Sequence, residues 1–245
     1  MTSFAGSHVW IIGASTGIGR ALAIHLAREG AVLSLSARNA EMLEDLRREL
    51  NGPHAIYPLD VTRADQLVAA AAAQPRIDRV VFLAGQYEPG ALADADPHKT
   101  RLIVDTNLMG ALHTVHAVLP VLRRQRGGQI ALCGSVAGYR GLPGGQPYSA
   151  TKAAIINLAE SLRTEESKHN IDIRLISPGF VKTPMTDKNT FPMPMMISAD
   201  QAADAIATGL KGPNFEIHFP RRMTIAMKIL KILPYWLYFK IAGRL

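Results

Sequence analysis

Val9-Trp10-Ile11-Ile12-Gly13-Ala14-Ser15-Thr16-Gly17-Ile18-Gly19-Arg20 opens the stretch, residues 9–30, around which the chain is organised. The first four residues form a short apolar run. After the glycines, Ile18, Leu22, Ala23 and Leu26 recur on one helix face, while Arg20, His25 and Arg28 point elsewhere. The reading is strand, glycine turn, helix. Glycines belong in such a turn because the backbone reverses sharply and must come close to a ligand. The helix that follows offers free N–H groups and a positive dipole end, which suit a pyrophosphate. The spacing is G-x-x-x-G-x-G rather than the commoner G-x-G-x-x-G, but the strand-to-helix context is the one that dinucleotide binding requires.

Further along, residues 31–37 alternate as a second strand, which Arg38-Asn39 leaves. An acid about 20 residues beyond the glycine loop takes the ribose 2′-hydroxyl of NAD in such sheets. No acid lies between Gly30 and Glu41. Arg38 stands there instead, and a guanidinium favours the 2′-phosphate of NADP, so NADPH is expected to be preferred over NADH. An ordinary solvated arginine is the alternative.

The remaining periodicities predict a helix over 41–50, a strand over 55–59 ending at Asp60-Val61, and a helix over 63–73. A fully apolar strand over 79–83 follows, closed by the small pair Ala84-Gly85. Continuous apolar strands suit a parallel sheet covered on both faces. Residues 100–125 read as one long helix, in which Asn107 is unfavourable and calls for a reason. A strand over 129–133 leads to Gly134-Ser135, and a helix runs from Tyr148 to about His169 with Tyr148 and Lys152 on one face. Strands over 172–176 and 215–219 flank a helix to Leu210 whose start carries a capping box, Ser198 with Gln201. His113 and His116 have no carboxylate or cysteine cluster in the sequence around them, so no metal site is expected.

Composition fits one α/β domain. The 245 residues are 48% hydrophobic, enough for a large core. The single cysteine, Cys133, allows no internal disulfide and fits a reducing compartment. Residues 1–8 lack the basic and apolar regions of a secretory leader, and no run of about 20 uncharged apolar residues predicts a spanning helix. A cytoplasmic location follows, peripheral at the membrane if the tail binds one. The net charge of +7 is concentrated at the end: residues 211–245 hold seven bases against one acid, a net +6. A tail-borne charge of this kind argues against a general nucleic-acid surface.

In order and spacing, Gly13-Ala14-Ser15-Thr16-Gly17-Ile18-Gly19, Asp60-Val61, Ala84-Gly85, Asn107, Ser135, Tyr148-x-x-x-Lys152 and Pro178-Gly179 through Val181 and Thr183 resemble the short-chain dehydrogenase/reductase family over residues 8–220. The resemblance implies a single doubly wound Rossmann domain with a seven-stranded parallel sheet, order 3-2-1-4-5-6-7, and helices on both faces. It also implies NAD(P)-dependent interconversion of a carbonyl and an alcohol. Tyr148 would be the general acid/base, Ser135 a donor to the substrate oxygen, and Asn107 the anchor of a proton-relay water. Asp60 would meet the adenine and Thr183 the nicotinamide side of the cofactor. A homodimer or homotetramer is the expected assembly. The family carries asparagines where this chain has Phe82-Leu83, which removes a polar tie between the central strand and its neighbours.

The chemistry is coherent by itself. Adding or removing a hydride changes the charge on one oxygen, so a proton donor must reach that oxygen. A free tyrosine titrates near ~10, and work near neutrality asks for a drop of ~3 units. A lysine cation beside the ring, with a positive oxidised nicotinamide, is the expected source of that drop.

The substrate loop, residues 184–197, holds Met185, Met193, Met195 and Met196 with Phe191, adaptable side chains that point to a small hydrophobic carbonyl or alcohol. Residues 221–245 form a basic amphipathic tail. Lys228 and Lys231 share a narrow polar stripe, Ile225, Ile229, Leu230, Ile232 and Leu233 make a broad apolar surface, and Pro234 breaks the helix before Tyr235, Trp236, Tyr238, Phe239 and Lys240. An interfacial helix on anionic lipid fits this pattern, and so does packing against a sister subunit or over the substrate pocket. Two functions therefore stand: an NADP(H)-dependent oxidoreductase, favoured by Ser135, Tyr148 and Lys152, or a non-catalytic NADP-binding protein docking a membrane or partner through its tail.

Overall fold

Strand β1 (His8–Ile12) buries every residue after the first, because parallel strands on both sides and helices on both faces leave it no solvent. The computed structural model describes residues 3–243, so Arg244 and Leu245 of the tail lie outside the described residues. Helix α1 (Gly17–Arg28) follows, then β2 (Val32–Ser36), α2 (Ala40–Glu49), β3 (Ala55–Ile56), α3 (Ala64–Ala73) and β4 (Arg79–Phe82). The second half runs α4 (Pro97–Val104), α5 (Gly110–Gln125), β5 (Gly128–Cys133), α6 (Tyr148–Glu165), β6 (Ile171–Pro178), α7 (Ala199–Lys211), β7 (Glu216–Phe219), α8 (Arg221–Ile232) and α9 (Tyr235–Ala242). The strands are parallel in the order 3-2-1-4-5-6-7, as the resemblance implies.

Alternate residues of the sheet feed two cores. Val9, Ile11 and Val81 face Leu22, Leu26, Leu43 and Ile206 on one side. Trp10, Ile12, Val80 and Phe82 face Leu67, Val118 and Ile155 on the other. The chain leaves β1 and β4 toward opposite faces, so a crevice opens beyond their carboxyl ends, where such sheets bind ligands.

Three boundaries differ from the sequence reading. β3 has only two paired residues, and Pro58 is tolerated because its nitrogen faces the open edge of the sheet. Its expected extension survives as single bonds from Tyr57 N to the Leu35 carbonyl at 2.8 Å and from Leu59 N to the Ala37 carbonyl at 3.0 Å. α6 ends at Glu165, and a short 3-10 turn, Ser167–His169, with Asn170 left-handed leads into β6. The long helix over 100–125 carries a π turn, Asp105–Met109, between α4 and α5. The whole run Pro97–Gln125 is long and apolar enough to cross a membrane by length and composition alone, although it carries charges and half of its apolar window is buried inside the fold.

The capping box holds: Gln201 N donates to Ser198 Oγ at 3.1 Å and Ser198 N to Gln201 Oε1 at 2.9 Å. The tail is the larger surprise. Lys228 turns back to pair with Glu216, and Lys228 and Lys231 both lie 5.9 Å from the Tyr139 ring centre, flanking the side on which Thr224, Met223 and Met227 pack against the body, while Lys231 stays exposed. Ile225, Ile229 and Ile232 point outward instead.

Candidate active site

The residues singled out from the sequence converge on one cleft of about 440 Å³ at the carboxyl edge of the sheet. Gly13, Ser15, Thr16, Gly17, Ile18 and Gly19 line it beside Arg38, Asp60, Val61, Ala84 and Gly85, and Ser135, Tyr148, Lys152, Pro178, Gly179, Val181 and Thr183 close the other end. Asn107 alone of the set does not line it.

The glycine turn is as tight as its spacing implies. Gly13 has φ of +95°, and a Cβ there would lie 2.6 Å from Ala84 N. A Cβ on Gly19 would collide with the Gly13 carbonyl oxygen. The first turn of α1 has no acidic residue, and Thr16 makes no side-chain cap, so the N–H groups at that end are available to an anion. The observed geometry fits a dinucleotide pyrophosphate. At the end of β2, Asn39 is occupied in capping α2 through Met42 N at 3.0 Å. Arg38 is exposed on the cleft rim and has no ion-pair or hydrogen-bond partner among the described residues. Asp60 binds the N–H and hydroxyl of Thr62 through one oxygen, each at 2.9 Å.

At the other end, α6 presents Tyr148 and Lys152 one turn apart. The Ser135 hydroxyl lies beside the Tyr148 phenol, donates to the Pro178 carbonyl at 3.4 Å and accepts from Ala137 N at 3.1 Å. Lys152 Nζ, buried, donates to the Cys133 carbonyl at 2.8 Å and lies 5.5 Å from the centre of the Tyr148 ring. Burial pushes the Lys152 ammonium below its usual pKa. Burial likewise pushes the Tyr148 phenol well above its usual value, with Cys133 and Tyr87 adding to the rise and the Ser135 hydrogen bond opposing it. Here the ammonium is turned to a carbonyl and desolvation outweighs it; the sequence expectation drew the drop from this lysine together with a positive oxidised nicotinamide.

Asn107 sits in the π turn, fully buried. The extra residue in the turn re-aims its amide off the helix and explains an asparagine there. Its Oδ1 accepts from Gln86 N at 2.7 Å, and its Nδ2 donates to the Gln86 carbonyl at 3.0 Å and to Thr151 Oγ1 at 3.1 Å. The side chain therefore ties the loop after β4 to α6, and its amide donors are already used. Gln86 and Thr151 escaped the sequence reading. Thr151 carried a faint signal, being three residues from Tyr148, whose carbonyl accepts its hydroxyl at 2.7 Å. Phe82, where the resembled family has asparagine, is buried, and a Cβ on Gly110 would meet its ring at 3.4 Å. The tie across the sheet here is apolar packing.

Tyr87 was also missed. Its ring meets Tyr148 edge-on with centroids 5.0 Å apart, and its hydroxyl donates to Asn189 Oδ1 of the substrate loop at 2.8 Å. Through Tyr87 that loop is tied to the wall that carries Tyr148. Of its methionines only Met185 lines the cleft, next to Pro184, whereas Phe191, Met195 and Met196 are exposed. His113 Nδ1 lies 3.1 Å from the Val61 carbonyl, and the described residues hold no group of three or more side chains able to bind a metal ion.

The profile of the family described as short chain dehydrogenase matches residues 7–192. An uncharacterised oxidoreductase of Myxococcus xanthus is 35% identical over 242 residues, covering 96% of this chain and 96% of that relative. A 3-oxoacyl-[acyl-carrier-protein] reductase of Thermotoga maritima is 34% identical over 185 residues, 73% of this chain and 75% of its own length. Among solved structures, a short chain dehydrogenase from Burkholderia cenocepacia in complex with NADP superposes with a TM-score of 0.86 at 23% identity, covering 98% of this chain and 99% of that one. A short chain dehydrogenase/reductase from Burkholderia phymatum in complex with NAD reaches 0.84 at 22% identity, over 93% and 94% of the two chains. The matched sequence and the shared sheet order place this chain in the short-chain dehydrogenase/reductase family of oxidoreductases.

Proposed function

We propose that the protein is an NADP(H)-dependent oxidoreductase that interconverts a carbonyl and an alcohol on a hydrophobic substrate. The observation that carries this reading is the Ser135, Tyr148 and Lys152 group on one cleft wall, facing a glycine turn shaped for a dinucleotide. When bound, the nicotinamide supplies or takes the hydride and in its oxidised form adds a positive charge near the phenol. Tyr148 gives its hydroxyl proton to the carbonyl oxygen in reduction and takes it back in oxidation. Ser135, in reach of the same phenol, donates to that oxygen and fixes its direction. Lys152 is held by the Cys133 carbonyl, which keeps its charge beside the ring. Asn107 is a positioning residue, acting through Gln86 and Thr151. Met185 gives the substrate end an adaptable apolar wall.

The preference for NADPH rests on Arg38, a cation on the rim with no acid paired to it among the described residues. Pairing with the 2′-phosphate is worth about 1.5–3 kcal/mol, a charge-assisted hydrogen bond. Arg38→Ala is expected to weaken NADPH roughly 10- to 150-fold by that figure while leaving NADH nearly unchanged. Fluorescence titration of both variants with both cofactors measures it. Equal losses for the two cofactors would remove Arg38 from the phosphate.

A further inference from the structure

The exposed large apolar side chains are not evenly spread. Seven of the sixteen among the described residues fall in residues 225–241: Ile225, Ile229, Ile232, Tyr235, Trp236, Phe239 and Ile241. Ile232 is 79% exposed, Trp236 72% and Phe239 63%. Ile225, Ile229 and Ile232 follow at intervals of four and three, one helix face.

This face is presented rather than loose. Its opposite side is fastened to the body at several points. Thr224 is buried with its hydroxyl against His218 Nδ1, at 2.6 Å, and Tyr238 and Ala242 are buried. Arg140 donates to the Lys231 carbonyl at 2.7 Å and lies 4.5 and 4.4 Å from the Tyr235 and Tyr238 ring centres. With one side so held, burying the outward side requires a surface beyond this chain.

Charge identifies that surface. Residues 221–245 contain no acid. Arg221, Arg222 and Lys240 are exposed and have no partner among the described residues. A two-fold pairing of this face with a second copy would bring these cations toward their own counterparts, which opposes it. We propose that α8 and α9 form a docking surface for an anionic lipid bilayer, with Ile225, Ile229, Ile232, Trp236 and Phe239 entering the headgroup boundary and Arg222 and Lys240 meeting acidic headgroups.

The test is co-sedimentation of the full chain with two kinds of vesicle, phosphatidylcholine alone and phosphatidylcholine mixed with phosphatidylglycerol. Binding to the mixed vesicles at low salt, released by high salt and weak on the neutral ones, is the expected result. Arg222→Gln with Lys240→Gln weakens that binding roughly 25-fold, about five-fold for each base. Ile232→Gln, Trp236→Gln and Phe239→Gln together abolish it, and all these exposed substitutions leave thermal unfolding in place. No sedimentation with the anionic vesicles, or equal sedimentation with both kinds, overturns the proposal. So does size-exclusion evidence that the triple apolar variant breaks an oligomer while the parent ignores vesicles, which would give the face to a second copy.

Discussion

Tyr148→Phe is expected to lose turnover by about 10²–10⁴-fold while binding the cofactor almost as the parent does. The ring survives the substitution, so its edge contact with Tyr87 and its place on the cleft wall are retained. What disappears is the phenol hydroxyl beside Ser135, the group proposed to hand its proton to the substrate oxygen. Cofactor affinity is the control, because the glycine turn and Arg38 lie at the other end of the cleft. Steady-state rates and fluorescence titration, on the same preparation, separate the two effects. Turnover within twofold of the parent would take the acid/base role away from Tyr148.

Gly19→Ala should damage the fold and the cofactor site together. The new Cβ meets the Gly13 carbonyl oxygen and sits close to the Ala14 Cα, backbone atoms that cannot rotate aside. Overpacking of this kind costs about 1–3 kcal/mol, and a clash with fixed backbone belongs at the upper end. At about 2–4 °C per kcal/mol for a chain of this size, the fall in Tm is roughly 6–12 °C. Gly141→Ala is the comparison, since nothing lies within 4 Å of a Cβ there. Calorimetry of both variants measures the contrast. A Gly19→Ala protein as stable as Gly141→Ala would mean that the turn is looser than the structure shows.

What could be read without the structure was what is local in the chain. The β1–turn–α1 unit and the Tyr148-x-x-x-Lys152 face depend on residues a few positions apart, so the pattern carries them. The π turn escaped because hydrophobic periodicity barely registers one extra residue, although Asn107 marked the spot. The partners of the site are distant in sequence. Lys152 reaches the Cys133 carbonyl across 19 residues and Asn107 reaches Thr151 across 44. The direction of the Tyr148 shift turned on burial, which charge counting along the chain does not reveal. The tail shows the same boundary. Its amphipathic pattern was plain, but which stripe turns inward was decided by Glu216 and Tyr139, residues on β7 and the loop after β5.

The most direct test of the account measures NADPH consumed against alcohol formed across aliphatic, steroid and aromatic ketones, with the unaltered protein. One NADPH consumed for each alcohol formed, on at least one apolar ketone and faster than with NADH, is the predicted result. A protein that binds NADPH yet reduces none of these ketones, and oxidises none of the matching alcohols, would contradict it.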